Sequence, residues 1–411
     1  MLRTTKLIGA AALGLLVGVG ACHNDKLLRP AAITPVDPLF ARYVSMGNSI
    51  TAGFQSGGIN DSTQLQSYAN LLGKQMQTPF FMPLLNRPGC PPPIDSVFRG
   101  AAGPHRVGGG TGATCALRRA QSVPPPWISD VAVPAAEVMD GTNNLDTASN
   151  PNTLTTLFLG GLTQSQMMRR ANPTFVTVWL GNNDVLGAAI NAANAGDSTK
   201  VTDSTLFANR YKAVLDSIDE TPASGKGVLI GVANVTLIPF FSQGQVYFSI
   251  KNTTANFPVN FLVGPNCAPS ALGGKGDSVL VPFQFGLTLV GTAQADPLNT
   301  YTLSCTEPQT VQPAELLRLV HAVTQYNATI SAQATARGYA YVDPNALFAA
   351  LPPGSIPPFP TTAGPSAVTA PFGAFFSRDG IHPTAATHKL IANALIQAIN
   401  AKYGTTVAPI P

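Results

Sequence analysis

The chain has 411 residues, a formal net charge of +4 and 11% charged residues. That charge density is under half the ~25% of an ordinary soluble domain, which argues against a disordered polyelectrolyte, while 45% hydrophobic residues supply a sizeable core. No long basic run occurs, only the pairs Arg118-Arg119 and Arg169-Arg170, so the footprint of a nucleic-acid binder is missing and no nucleic-acid partner is expected.

At the N-terminus, Arg3 and Lys6 precede the apolar stretch from Leu7 to Val17 and then Val19-Gly20-Ala21-Cys22. A positive start, a short apolar run and small residues before a cleavage point describe a secretory signal. The run is shorter than the ~20 residues a transmembrane helix needs. The terminal Cys resembles a bacterial lipobox. That resemblance implies cleavage after residue 21, lipid attachment at Cys22 and membrane association through that lipid. With His23 rather than Asp following, it also implies the outer membrane of a bacterial cell envelope. Residues 22–39 read as a polar, Pro-bearing tether, and 40–405 as one domain.

Arg42 to Met46 predicts a short buried strand that ends in the turn Gly47-Asn48-Ser49. Leu65 to Met76 carries helical apolar spacing, and Pro79 to Leu85 reads as a second strand. Residues 86–130, rich in Gly and Pro, read as an irregular insertion. Pro173 to Leu180 is the best strand of the chain, apolar and β-branched, and runs into Gly181-Asn182-Asn183-Asp184. Asp203 to Ile218 predicts an amphipathic helix capped by Asp203 or Ser204. Gly227 to Val235 predicts a fully buried strand. Pro313 to Arg337 predicts a helix, with Pro in its first turn and Gly338 after its end. Tyr339 to Val342 predicts another strand, ending at Asp343, and Pro383 to Lys402 the last helix. Strands alternating with helices predict a three-layer α/β/α fold with a parallel, flavodoxin-like sheet. Residues 239–312 and 351–376 read as loops or hairpins inserted into that plan.

Apart from Cys22, four cysteines remain: Cys90, Cys115, Cys267 and Cys305. An even number in an exported chain points to disulfides, with three pairings possible. Nearest-neighbour pairing, Cys90 with Cys115 and Cys267 with Cys305, staples two loop-rich stretches and is the expectation. No Cys/His spacing suits zinc, and no Walker loop or GxGxxG follows a strand. Neither a metal nor a cofactor is expected.

Ligands of open α/β sheets bind at the carboxyl ends of the strands. Gly47-Asn48-Ser49-Ile50 and Gly181-Asn182-Asn183-Asp184 stand at two such ends, and Asp379-Gly380-Ile381-His382 precedes the last helix. Acyl transfer needs a hydroxyl, a base to take its proton, a carboxylate to orient the base, and fixed donors for the oxyanion. Ser49, His382, Asp379 and Asn183 are the residue types required. The three-residue spacing of Asp379 and His382 lets the carboxylate reach one ring nitrogen while the other faces the serine. Asp343, at a strand end, is an alternative orienter. His23, His105, His321 and His388 have duller readings as tether, loop, surface or core residues.

In this order the three blocks resemble those of the SGNH (GDSL-type) hydrolases, GDS[LI], GxND and DxxH, over residues ~40 to ~405. The resemblance implies a serine esterase or lipase acting on carboxylic esters through an acyl-serine. In it Ser49 is the nucleophile, His382 the base and acid and Asp379 its orienter. Asn183 and the Ser49 N–H act as oxyanion donors. Asn48 stands where the family has Asp. The family's second block, whose Gly backbone donates to the oxyanion, is matched by Val131-Ala132-Val133-Pro134-Ala135-Ala136, which puts Ala135 at the Gly position. A backbone N–H survives that change only if the local φ suits Ala. Gly89 is the alternative donor. A carbohydrate O-acetyl esterase or acyltransferase on the same fold, and a non-catalytic binding lipoprotein, are the rival readings. The insertions are rich in aromatics: Phe240, Phe241, Tyr247, Phe248, Phe257, Phe261, Phe283 and Phe285, then Phe359, Phe372, Phe375 and Phe376. A wall built from them would favour acyl or aryl esters over acetates.

Overall fold

The computed structural model describes residues 34–97, 104–121, 124–143, 153–253, 257–362 and 364–411. The expected leader, Cys22, His23 and the tether up to residue 33 lie outside the described residues. Four parallel strands form the central sheet: β1 (Tyr43–Gly47), β2 (Phe175–Trp179), β3 (Gly227–Ile230) and β4 (Ala340–Val342), adjacent in that order. The first two run in register from Tyr43 opposite Phe175 to Gly47 opposite Trp179, and every residue of both is buried.

Burial on both faces explains why these strands read as continuous apolar runs. Val44, Met46, Val176, Val178 and Leu229 point to one face and join the core beneath three helices, α3 (Gln164–Ala171), α5 (Ser204–Asp219) and α6 (Pro313–Arg337). Tyr43, Phe175, Trp179, Val228 and Ile230 point to the other face, where α2 (Tyr68–Gln75) and α8 (Ala385–Tyr403) cover them. This is the three-layer α/β/α arrangement. Its chain reversals follow local chemistry. Asp203 caps α5 with its carboxylate, and Gly338 ends α6 at φ +81°.

Several elements differ from expectation. Residues Pro79 to Leu85 form no strand; Leu85 alone bridges, to Arg118. Pro79 and Pro83 have no N–H to give a ladder. The sheet edge beside β1 is filled instead by residues 129–133. Ser45 donates to the Ser129 carbonyl at 2.8 Å, and Val131 and Val133 donate to the Ser45 and Gly47 carbonyls at 2.9 and 3.2 Å. That edge segment completes the flavodoxin-like order and carries Pro134 and Ala135 to the strand ends. Strand β3 stops at Ile230 rather than Val235, because Asn327 of α6 takes over Val232. Its Oδ1 accepts the Val232 N–H at 2.6 Å and its Nδ2 donates to the Val232 carbonyl at 2.9 Å. Helix α2 starts after Leu65, since Ser67 Oγ accepts the Asn70 N–H at 3.2 Å and fixes the N-cap there.

The insertion at 239–312 is more ordered than loops or hairpins. It holds helices Gly244–Thr253 and Phe283–Ala295, an antiparallel pair (Phe241–Gln243 with Leu280–Pro282) and a parallel pair (Phe261–Val263 with Tyr301–Leu303). Tyr247, Phe261, Val279, Val281 and Leu303 give it a small core of its own around the Cys267–Cys305 disulfide. The second disulfide joins Cys90 and Cys115, so both nearest-neighbour pairs form. At the domain ends, Val36 donates to the Met76 carbonyl and Ile410 exchanges hydrogen bonds with Asn393.

Candidate active site

Three strand ends and one turn converge. After β1, Asn48 caps the one-turn helix α1 (Ser49–Ala52): its Oδ1 accepts the Ile50 N–H at 3.1 Å. An amide therefore fills the capping role of the expected Asp without a charge. Gly47 is obligatory here, because a Cβ would lie 2.1 Å from Thr51 Oγ1. Its own N–H and C=O are held by the carboxamide of Gln164, at 2.9 and 2.8 Å. Ser49 thus emerges from a rigid corner.

Far away in sequence, Asp379-Gly380-Ile381-His382 forms the turn that leads into α8. His382 Nε2 lies 2.9 Å from Ser49 Oγ, and His382 Nδ1 lies 2.7 Å from Asp379 Oδ2. All three side chains are largely buried. Asp379 Oδ1 accepts the N–H groups of Ile381 and His382, both at 2.9 Å, and the Ser377 hydroxyl at 3.1 Å. Burial alone would raise this carboxyl. The His382 ring and the amide donors outweigh it and hold it at about 2. The geometry gives a carboxylate, a ring and a hydroxyl in line. Phe54 packs on the His382 ring, with centroids 4.8 Å apart.

Candidate donors stand at the neighbouring strand ends. Asn183 opens helix α4 (Asn183–Ala189) after β2, and its Nδ2 donates to the Ala136 carbonyl at 2.8 Å. Val138 donates to Asp184 Oδ2 at 2.8 Å, so the 134–138 turn is tied to the start of α4 twice. Ala135, at the tip, is exposed and sits at φ +65°, the left-handed region that Gly occupies freely. Among the described residues the N–H groups of Ser49 and Ala135 have no hydrogen-bond acceptor. Gly89 is placed elsewhere. At φ +126° it packs on Ile59 and Asn60 beside the Cys90–Cys115 disulfide.

A cavity of about 460 Å³ opens from this group. At one end it is lined by Asn48, Ser49, Asn182, Asn183 and His382. The rest is almost wholly apolar: Val235 and Ile238 after β3, Leu347, Phe348 and Leu351 on and after α7 (Pro344–Ala349), Phe375 and Phe376, and Leu390 and Ile391 of α8. Of the twelve aromatics singled out in the sequence, only Phe375 and Phe376 line it. Phe372 packs edge-on against Phe283, and Tyr247 and Phe257 pack against Phe359, so most of these rings fill the insertions.

Asp343 does not reach His382; it caps α7, accepting the Asn345 N–H at 2.9 Å. His105 pairs with Asp95 at 2.6 Å, and His321 is exposed on α6. His388 is buried and accepts the Tyr68 N–H at 3.2 Å; burial, with the nearby His382, lowers its ring to about 3. Sequence reasoning missed Gln164, Ser377 and Gly57, whose N–H donates to Asp379 Oδ2 at 2.5 Å. None belongs to a recognisable motif. The aliphatic wall from α7 and α8 was hidden as ordinary helix-face Leu and Ile. Among the described residues no group of His, Cys, Asp and Glu is arranged to hold a metal, and no helix is long and apolar enough to cross a membrane.

No protein-family model matches the chain, and no curated protein matches it. Among solved structures it is similar to LAE5, an alpha/beta hydrolase enzyme from the metagenome of Lake Arreo, Spain, at 10% identity and a TM-score of 0.37, covering 89% of this chain and 98% of that one. It is also similar to a variant of Axe2, an acetyl xylan esterase from Geobacillus stearothermophilus, at 11% identity and a TM-score of 0.36, covering 87% and 93%. A third is a Parabacteroides merdae protein named for its likeness to GDSL lipases, at 10% identity and a TM-score of 0.35, covering 88% and 95%.

Proposed function

We propose that the chain is a serine hydrolase of carboxylic esters of the SGNH (GDSL) type. The observation that carries this reading is the line of two hydrogen bonds, 2.9 and 2.7 Å, from Ser49 Oγ through His382 to Asp379 at the mouth of the cavity. In this reading Ser49 Oγ attacks the ester carbonyl carbon as its proton passes to His382 Nε2. Asp379 stabilises the resulting imidazolium. The oxyanion is held by the second amide proton of Asn183 and by the N–H groups of Ser49 and Ala135. Collapse breaks the ester C–O bond, and the leaving alcohol takes the proton from His382. Water, giving a proton to the same nitrogen, then attacks the acyl-serine; the acyl C–O bond to Ser49 breaks, Ser49 Oγ takes that proton back from His382, and the acid leaves.

The cavity wall supports an apolar acyl or aryl ester over an acetylated glycan. Beyond the catalytic end it offers almost no polar side chain to a sugar hydroxyl. Each methylene buried there adds up to about 0.8 kcal/mol. A fluorophosphonate serine probe, with Ser49→Ala and His382→Ala as controls, tests the mechanism: the wild type should label and both variants should lose ester hydrolysis while staying folded. Absence of labelling, or wild-type turnover in His382→Ala, defeats it. A p-nitrophenyl series from acetate to octanoate, run beside acetylated xylan, tests the substrate. A steady fall in kcat/KM with chain length favours the carbohydrate-esterase rival.

We also propose attachment to the bacterial cell envelope through a lipid on Cys22, supported by the charged start, the apolar run and Val-Gly-Ala-Cys. One acyl chain anchors only marginally, so multi-chain modification is implied. Cys22→Ser should release the protein from membranes; undiminished membrane binding refutes this.

A further inference from the structure

Asp379 Oδ2 accepts two hydrogen bonds, from His382 Nδ1 at 2.7 Å and from the Gly57 N–H at 2.5 Å. Gly57 stands at φ +64° and follows Ser56 at φ +55°. This pair of left-handed residues also aims the Ser56 N–H at Ser377 Oγ, 2.7 Å away, whose hydroxyl in turn reaches Asp379 Oδ1. Ser56 carries a Cβ, so its left-handed backbone is strained and persists only if the surroundings impose it.

Gln55 and Gly58 close this turn by exchanging backbone hydrogen bonds at 2.8 and 3.1 Å, and a different part of the chain braces it, beginning with the Ile94 N–H, which donates to the Ser56 carbonyl at 2.7 Å. Arg106 sits on the short hairpin formed by Ile94–Ser96 and His105–Arg106, within the stretch closed by the Cys90–Cys115 disulfide. Its Nη1 donates to the Gly57 carbonyl at 2.7 Å and to the Pro92 carbonyl at 2.6 Å. The guanidinium is half-buried, and among the described residues its hydrogen bonds go to carbonyl groups. Partial burial disfavours its charge, and the negative charge of Asp379 favours it.

We propose that Arg106 is a positioning residue for the catalytic group: by clamping the Gly57 carbonyl it locks the Ser56-Gly57 turn, so that the Gly57 N–H fixes Asp379 Oδ2 opposite His382 Nδ1. The proposal rests on the ester-hydrolase reading for its kinetic consequence. Arg106 does not line the cavity, so its loss acts on the transition state rather than on substrate binding. Misplacing a catalytic group by about an ångström costs on the order of 10²-fold.

The test compares Arg106→Met and Arg106→Lys with His105→Ala, which breaks the His105–Asp95 pair of the same hairpin without touching Gly57. Arg106→Met should lower kcat for p-nitrophenyl butyrate by about 10–100-fold at unchanged KM. Arg106→Lys, a point donor in place of a fork, should recover part of that loss. His105→Ala should stay within about twofold of wild type. An equal loss in His105→Ala, or a raised KM at constant kcat in Arg106→Met, overturns the proposal. A second readout needs no substrate: the downfield NMR resonance of the His382 Nδ1 proton should move or broaden in Arg106→Met and not in His105→Ala. An unmoved resonance overturns the proposal. If Arg106→Met does not fold, Arg106→Lys carries both comparisons. If the wild type cleaves no ester, the hydrolase reading fails, and the resonance alone decides the role of Arg106.

Discussion

Asn183 gives one amide proton to the Ala136 carbonyl at 2.8 Å, which orients its carboxamide where Asn183 and Ser49 line the same end of the cavity. An Asn side chain has two such protons, so positioning and substrate binding need not compete. Asn183→Ala should lower kcat by about 10²–10³-fold, as loss of one oxyanion donor does. Asn183→Asp, of equal size but without donors, should be at least as damaging, since it also faces the Ala136 carbonyl. Steady-state kinetics checks both; retention of more than a tenth of wild-type kcat in Asn183→Asp refutes the donor role.

The next residue predicts a pH effect on stability. Asp184 is fully buried, and burial followed by the negative charge of Glu137 raises its carboxyl to about 7. Asp140 beside it is raised to about 7 as well, chiefly by burial. A folded value above the unfolded one means that the contribution is complete below about 3.8 and is lost as pH rises toward 7. Asp184→Asn keeps an acceptor for the Val138 N–H and removes the ionisation. It should match wild type in urea denaturation at pH 4 and exceed it by on the order of a few kcal/mol at pH 8. Equal stability at both pH values would count against the buried carboxyl.

Ala135 predicts a gain. Its φ of +65° strains a residue with a Cβ, and its side chain is exposed. Ala135→Gly should stabilise the fold by about 1 kcal/mol and leave kcat within about twofold, because the N–H is kept. Thermal denaturation and turnover are the measurements; a loss of stability would mean that the extra freedom of Gly in the unfolded chain outweighs the strain.

The two disulfides should behave differently. Replacing Cys267 and Cys305 by Ser should cost roughly 2–4 kcal/mol within the insertion core, and leave kcat near wild type. Replacing Cys90 and Cys115 should cost similar stability and also lower kcat, because that loop carries Arg106. Matched kcat values in the two double variants would separate the hairpin from the site.

What the sequence made legible follows from how local each signal is. Ser49, Asn183, Asp379 and His382 stand in turns at strand ends or a helix start, where motif and geometry coincide, and the structure brings them together. The sheet strands were legible because burial on both faces leaves an unbroken apolar run, as in Phe175–Trp179. The edge segment at 129–133 was not, since it is short and bounded by Pro124–Pro126 and Pro134, while Pro79 to Leu85 carried the more apolar pattern. The contacts of Gly57 and Arg106 with the Asp379 region join residues 322 and 49 positions apart, and no local pattern encodes such a meeting. The cavity wall was misplaced for a similar reason: aromatics advertise themselves in a sequence, whereas Leu347, Leu351 and Leu390 look like any residues on a helix face.

Ser49 and His382 meet across 333 positions of chain. Ser49 leaves the ribosome long before His382, the group placed to take its proton. A nascent or prematurely terminated chain therefore carries an exposed serine but no means of deprotonating it. Contacts of such long range also form late in folding, because loop closure must come first. Under the proposed reading, the order of synthesis thus acts as a timer: the chain stays inert toward esters until helix α8 has docked.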